Sequence, residues 1–165
     1  TSDEDAVASQ GGAAITIGSQ RIYTGYRQVS QVNQDPILIS FDADNPKNNW
    51  VRTDVEVSNS DSRGYGLYSS GKDLYAIFSV DGTQGDPSDD FRRCSSDAVT
   101  PWSQSYGKGG GAKVAVIARF NPKNGMLLDA AYISAVLKDG KSNTLRIDNI
   151  KMNAAGNLLV KTAAR

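Results

Sequence analysis

The sequence predicts an all-β protein built from repeated antiparallel four-stranded units, with a β-sandwich as the alternative architecture. Three observations carry this expectation. Short apolar runs alternate with polar residues at period two, as strands do. Glycine-centred turns separate those runs. A stretch of the chain also occurs twice, once as "PILISFDADNPKNNWVRTDV" (36–55) and again as "AVIARFNPKNGMLLDAAYIS" (115–134).

In chain order, residues 1–12, "TSDEDAVASQGG", are small, polar and acidic, and read as a flexible N-terminal arm. The remaining residues, 13–165, read as a single all-β domain. Ala14–Ile17 and Arg21–Tyr26 form a first hairpin around Gly18-Ser19. Ile37–Phe41 and Trp50–Val57 follow as strands. Tyr65–Tyr68 and Asp73–Val80 flank the turn "SSGK". Residues 81–111 then break the pattern, with two prolines, six glycines and few aliphatics, and read as one long insertion. Strands resume at Lys113–Phe120, Met126–Ser134, Thr144–Met152 and Leu158–Thr162. "LLDAAYISAVLK" (127–138) has apolar residues at helical spacing, but its β-branched and aromatic content favours a strand.

Within the repeat, Leu38-Ile39-Ser40-Phe41 aligns with Ile117-Ala118-Arg119-Phe120, and Asn-Pro-Lys-Asn follows each at 45–48 and 121–124. A second recurrent piece is a glycine turn opening a strand: "GSQRIYTG" (18–25), "GKDLYAIFS" (71–79) and "GNLLVKTAA" (156–164). Asn-Pro suits a turn because proline presets φ, and the glycines permit positive φ. Each copy then reads as one antiparallel sheet whose apolar faces need neighbours on both sides.

This pattern resembles the repeats of bacterial secreted β-propellers, whose blades read roughly "fdpdG…W" followed by a glycine turn and an alternating strand. Trp50 stands where such repeats carry tryptophan; Met126 replaces it in the second copy. The resemblance covers about 37–82 and 115–165, plus the strand at 18–26. It implies blades, an extracellular, periplasmic or cell-surface setting, and, because a propeller typically has about four to eight blades, a homo-oligomer or a place in a larger complex. The opening Thr-Ser-Asp-Glu-Asp, without Met or an apolar leader, is what a processed or trimmed chain shows.

Composition narrows the chemistry. Eighteen basic residues balance eighteen acidic ones, so nucleic acid is not expected as a partner. No apolar run reaches the length that spans a bilayer as a helix. The absence of histidine removes the usual catalytic base and any Ser-His-Asp triad. The single cysteine, Cys94, excludes an internal disulfide. Two clusters are rich in oxygen ligands. "DADNPKNN" (42–49) starts like a calcium loop and then departs from it; the second copy keeps the turn without the aspartates. Asp81, Asp86, Asp89 and Asp90 are the candidate calcium ligands of the insertion. Asp54 and Glu56, two apart on an expected strand, form a same-face carboxylate pair that a glycosidase could use.

The stronger lead is recognition. Trp102 and Tyr106 lie in the polar stretch "TPWSQSYGKGG", with Arg92 and Arg93 nearby. Flat rings and guanidinium groups on a loop give large contact area at low entropy cost. The expected function is therefore a non-catalytic binding or structural module contacting another macromolecule, with Arg92, Arg93, Trp102 and Tyr106 at its site. A carbohydrate-binding module is the alternative, a carboxylate-dependent glycoside hydrolase a further one.

Overall fold

The computed structural model describes residues 3–57, 61–81, 91, 112–140 and 142–164. The class is all-β. Sheet A is a meander of β1 (Ala14–Ile17), β2 (Gln20–Gln28), β3 (Gln34–Asp42) and β4 (Trp50–Arg52). Sheet B repeats the meander with β5 (Ser62–Ser69), β6 (Leu74–Val80), β7 (Val114–Phe120) and β8 (Leu127–Ile133). A two-residue pair, β9 (Ala135–Val136) with β10 (Ser142–Asn143), precedes a hairpin of β11 (Leu145–Met152) and β12 (Leu158–Ala164). Every strand pair is antiparallel.

The repeat has a direct structural meaning. Both Asn-Pro-Lys-Asn turns join the third strand of a sheet to its fourth. In each, the asparagine side chain accepts from the amide two residues on: Asn45 from Lys47 (3.1 Å) and Asn121 from Lys123 (2.9 Å). The glycine turns join first strands to second, and Gly18, Gly71 and Gly156 all take positive φ (57°, 87° and 82°). The two copies also lock together. Trp50 Nε1 donates to the Pro122 carbonyl (2.9 Å), and Arg52 Nη1 donates to that of Gly125 (2.8 Å). The indole lies so close to Gly125 that a Cβ there would run into the ring.

Sheet B is the middle layer. Ile22 and Leu38 of sheet A join Leu74, Phe78, Val116 and Phe120 of sheet B in one core. On the opposite face of sheet B, Ile77 and Ile117 pack against Leu145, Ile147 and Ile150 of the hairpin. This is why "LYAIFSV" and "VAVIARF" are nearly continuously apolar: β6 and β7 are covered on both sides. Sheets A and B approach closely at Gly64, where any Cβ would collide with the Thr24 side chain.

Two expectations need correction. The arm is not wholly free: Asp3–Ala8 forms a short helix, α1, with Val7 buried. Its Glu4 carboxylate takes hydrogen bonds from Arg21 Nε (2.5 Å) and Nη2 (2.8 Å) and from the Tyr23 hydroxyl (2.9 Å). The expected strand 50–57 stops at Arg52. The expected strand Met126–Ser134 is present as β8, and the short β9 follows it. The insertion leaves β6 at Val80 and returns at Val114, and these two residues are directly paired. Phe91, within it, is fully buried against Phe78 (4.8 Å between ring centroids). Among the described residues no helix is long and apolar enough to cross a membrane.

Candidate functional site

A polar cleft lies between sheet B and the hairpin that covers it, and two β-bulges shape it. The register of β5 slips between Gly64 and Gly66, so Tyr65 is the extra residue. The register of β11 slips between Ile147 and Asn149, so Asp148 is extra there. Bulges re-aim side chains and interrupt a strand's edge. Here they face each other and are cross-tied. The Tyr65 hydroxyl accepts from the Ile147 amide (3.0 Å), and the Arg146 guanidinium sits over the Tyr65 ring, 4.7 Å from its centroid. Burial pushes the Tyr65 phenol above its ordinary pKa; the Ile147 amide and Arg146 oppose that shift and Asp148 adds to it. The phenol is therefore neutral and keeps a proton to donate.

The cavity beside this tie has a volume of about 320 Å³ and is lined by Tyr65, Tyr68, Arg146, Asp148 and Asn149 over a floor that includes Ile77. Gly66 lets β5 run directly against Ile77, where a Cβ would clash. No hydrogen bond or ion pair engages the Asp148 carboxylate, the Asn149 side-chain amide or the Tyr68 hydroxyl among the described residues. A second cavity of about 380 Å³ opens at the hairpin tip and is lined by Tyr75, Arg119, Asp129 and Asn157, among others. Tyr68, Tyr75, Arg119 and Asp129 are successive cross-strand partners, one row across all four strands of sheet B. The Tyr68 and Tyr75 rings, one lining each cavity, are 6.1 Å apart and tilted by 45°. Arg119 reaches Asp73 and Asp129 at 3.4 Å each, long for charge-assisted bonds, so its donors are loosely held.

Arg92, Arg93, Trp102, Tyr106, Asp86, Asp89 and Asp90 lie outside the described residues. Asp81 is described: it is nearly buried and its carboxylate is ion-paired with Lys113, whose ammonium also donates to the Asp61 carbonyl (3.3 Å). A lysine thus supplies the positive charge that Asp81 faces. Asp42 in the other oxygen-rich stretch spends its carboxylate on turn amides, and among the described residues no three potential ligands converge as a metal group. The Asp54–Glu56 pair is taken apart. With β4 ended at Arg52, Asp54 is exposed and held by Arg52 (2.7 and 3.2 Å), whereas Glu56 is buried beside the fully buried Val55.

Sequence reasoning missed Tyr65, Tyr68, Arg146 and Asp148. A signal was present for both bulges. In "LRIDNIKM" the apolar positions run 145, 147, 150, 152, and the alternation slips by one residue at Asp148-Asn149. In "RGYGLY" two glycines bracket Tyr65, and glycine inside a strand marks a bulge.

No protein-family model matches this chain, and comparison with curated proteins and with solved structures finds no match.

Proposed function

We propose that this chain is a non-catalytic binding module that contacts another macromolecule through the cleft between β5 and β11. The observation that carries this reading is the pair of facing bulges. They fix Tyr65 and Arg146 against each other and leave Tyr68, Asp148 and Asn149 lining a cavity, where no hydrogen bond among the described residues engages their side chains. Rigid flat rings beside adaptable polar groups are the composition of a recognition surface. A propeller-like scaffold would use the two four-stranded units and the hairpin as blades, with further units coming from other copies or from a larger complex.

The test is binding of the labelled chain to parallel arrays of extracellular glycans and extracellular proteins. A ligand recognised by the parent should be lost by the Arg146→Ala/Asp148→Ala double variant, whose sites are on the exposed side of β11. Ligands bound equally by parent and variant, or turnover of an arrayed ligand, would count against the reading.

A further inference from the structure

The two cavities along the hairpin carry nearly the same set of groups. The first has the Tyr68 ring, the Arg146 guanidinium, the Asp148 carboxylate and the Asn149 amide. The second has the Tyr75 ring, the Arg119 guanidinium, the Asp129 carboxylate and the Asn157 amide. The tyrosines are cross-strand partners, so the two sets meet at one ring pair. In each set one positive and one negative group line the cavity together. Such a lining matches a ligand that has no formal charge but many hydroxyls, and disfavours a phosphate or polyanion, which needs an excess of cations.

We propose that the cleft binds a neutral oligosaccharide of at least two sugar rings, one in each cavity. A pyranose offers an apolar C–H face to an aromatic ring and pairs of hydroxyls at its rim. Carboxylate, guanidinium and amide groups satisfy such hydroxyl pairs two at a time. Both cavities fall in the size range of small-ligand sites. An extended peptide is the competing occupant, and the bulges argue against it. Strand addition needs an unbroken edge, and the register is interrupted in β5 at Tyr65 and in β11 at Asp148, inside the cleft itself.

This inference rests on the binding reading above, and one titration separates the two. Methyl β-D-glucopyranoside, cellobiose, maltose and N,N′-diacetylchitobiose are titrated into the isotope-labelled chain while backbone amide resonances are followed. The expected result is that at least one disaccharide shifts amides of both groups, Tyr65–Tyr68 with Asp148–Ile150 and Tyr75 with Asn157. It should bind about tenfold or more tightly than the single ring, since each added set of hydrogen bonds is worth about that factor. Asp148→Asn should weaken binding by a similar factor and leave the unliganded spectrum otherwise unchanged, because among the described residues no hydrogen bond or ion pair engages that carboxylate; Asp129→Asn is the change in the second cavity, where the ion pair with Arg119 is lost as well. Shifts at one cavity only, with no gain from a second ring, overturn the two-ring assignment. Silence with every sugar, alongside a protein-array ligand lost on Arg146→Ala/Asp148→Ala, overturns the glycan assignment and leaves the binding reading standing. Silence on both overturns both.

Discussion

The Asp42 carboxylate accepts from Asn48 Nδ2 (3.0 Å) and from the amides of Asp44 (2.9 Å) and Asn45 (3.2 Å). Those bonds, the Asn48 one foremost, favour the ionised form and hold its pKa at about 2 against an ordinary 3.8. A depressed carboxyl pKa stabilises the fold above the unfolded value, and that contribution is lost as pH falls through the folded value. The difference in thermal midpoint between parent and Asp42→Asn should therefore be constant above about pH 4 and shrink as pH approaches about 2. An offset that ignores pH would mean the turn is held by shape alone. Tyr65 makes a second residue-scale case. Tyr65→Phe keeps the ring under Arg146 but leaves the Ile147 amide without its acceptor. The expected cost is about 1–2 kcal/mol in urea unfolding, together with weakened binding at the cleft. A variant as stable as the parent would show that water replaces the hydroxyl there.

At the scale of elements, much was legible in the sequence because strands and turns are local. Period two marked β1, β2, β3 and β5, a short apolar run between turns marked β6, and positive-φ turns sit at Gly18, Gly71 and Gly156. What was not legible depended on a neighbour. Glu56 alternates correctly for a strand, yet the chain leaves sheet A at Arg52 and buries Glu56 beside Val55. α1 has too few residues to be stable by itself and forms where Arg21 and Tyr23 of β2 take hold of Glu4. The cleft was missed because each bulge, read alone, is a one-residue flaw; only the packing of β11 over β5 turns two flaws into a site. How closely sheet A packs on the other face of sheet B is also testable. Gly64→Ala places a methyl group against Thr24, whose hydroxyl is already committed to the Ile37 carbonyl (2.9 Å). Sheet A must shift, at a cost of about 1–3 kcal/mol, visible in denaturant unfolding. A change within a few tenths of a kcal/mol would mean that the sheets slide apart without resistance.

For the molecule as a whole, the repeat sets the layers and the insertion is added to them. Val80 and Val114 are already paired where the insertion departs, and Asp81 and Lys113 close that end with an ion pair. Sheet B therefore does not need residues 82–111 to find its register; Asn-Gly followed by the retained Ala112 can join Asp81 to Lys113 as a three-residue hairpin loop. Among the described residues the insertion gives the fold Phe91, which packs beside Phe78 in the core shared by the sheets. Replacing 82–111 by Asn-Gly should yield a folded chain whose stability falls by at least the loss of Phe91→Ala in the full-length chain, about 3–5 kcal/mol. The same variant decides between the two places where recognition has been located. If the β5–β11 cleft is the binding surface, the shortened chain keeps its ligand with affinity little changed. If recognition depends instead on Arg92, Arg93, Trp102 and Tyr106, all of which the replacement removes, binding disappears while the amide spectrum of sheets A and B is retained.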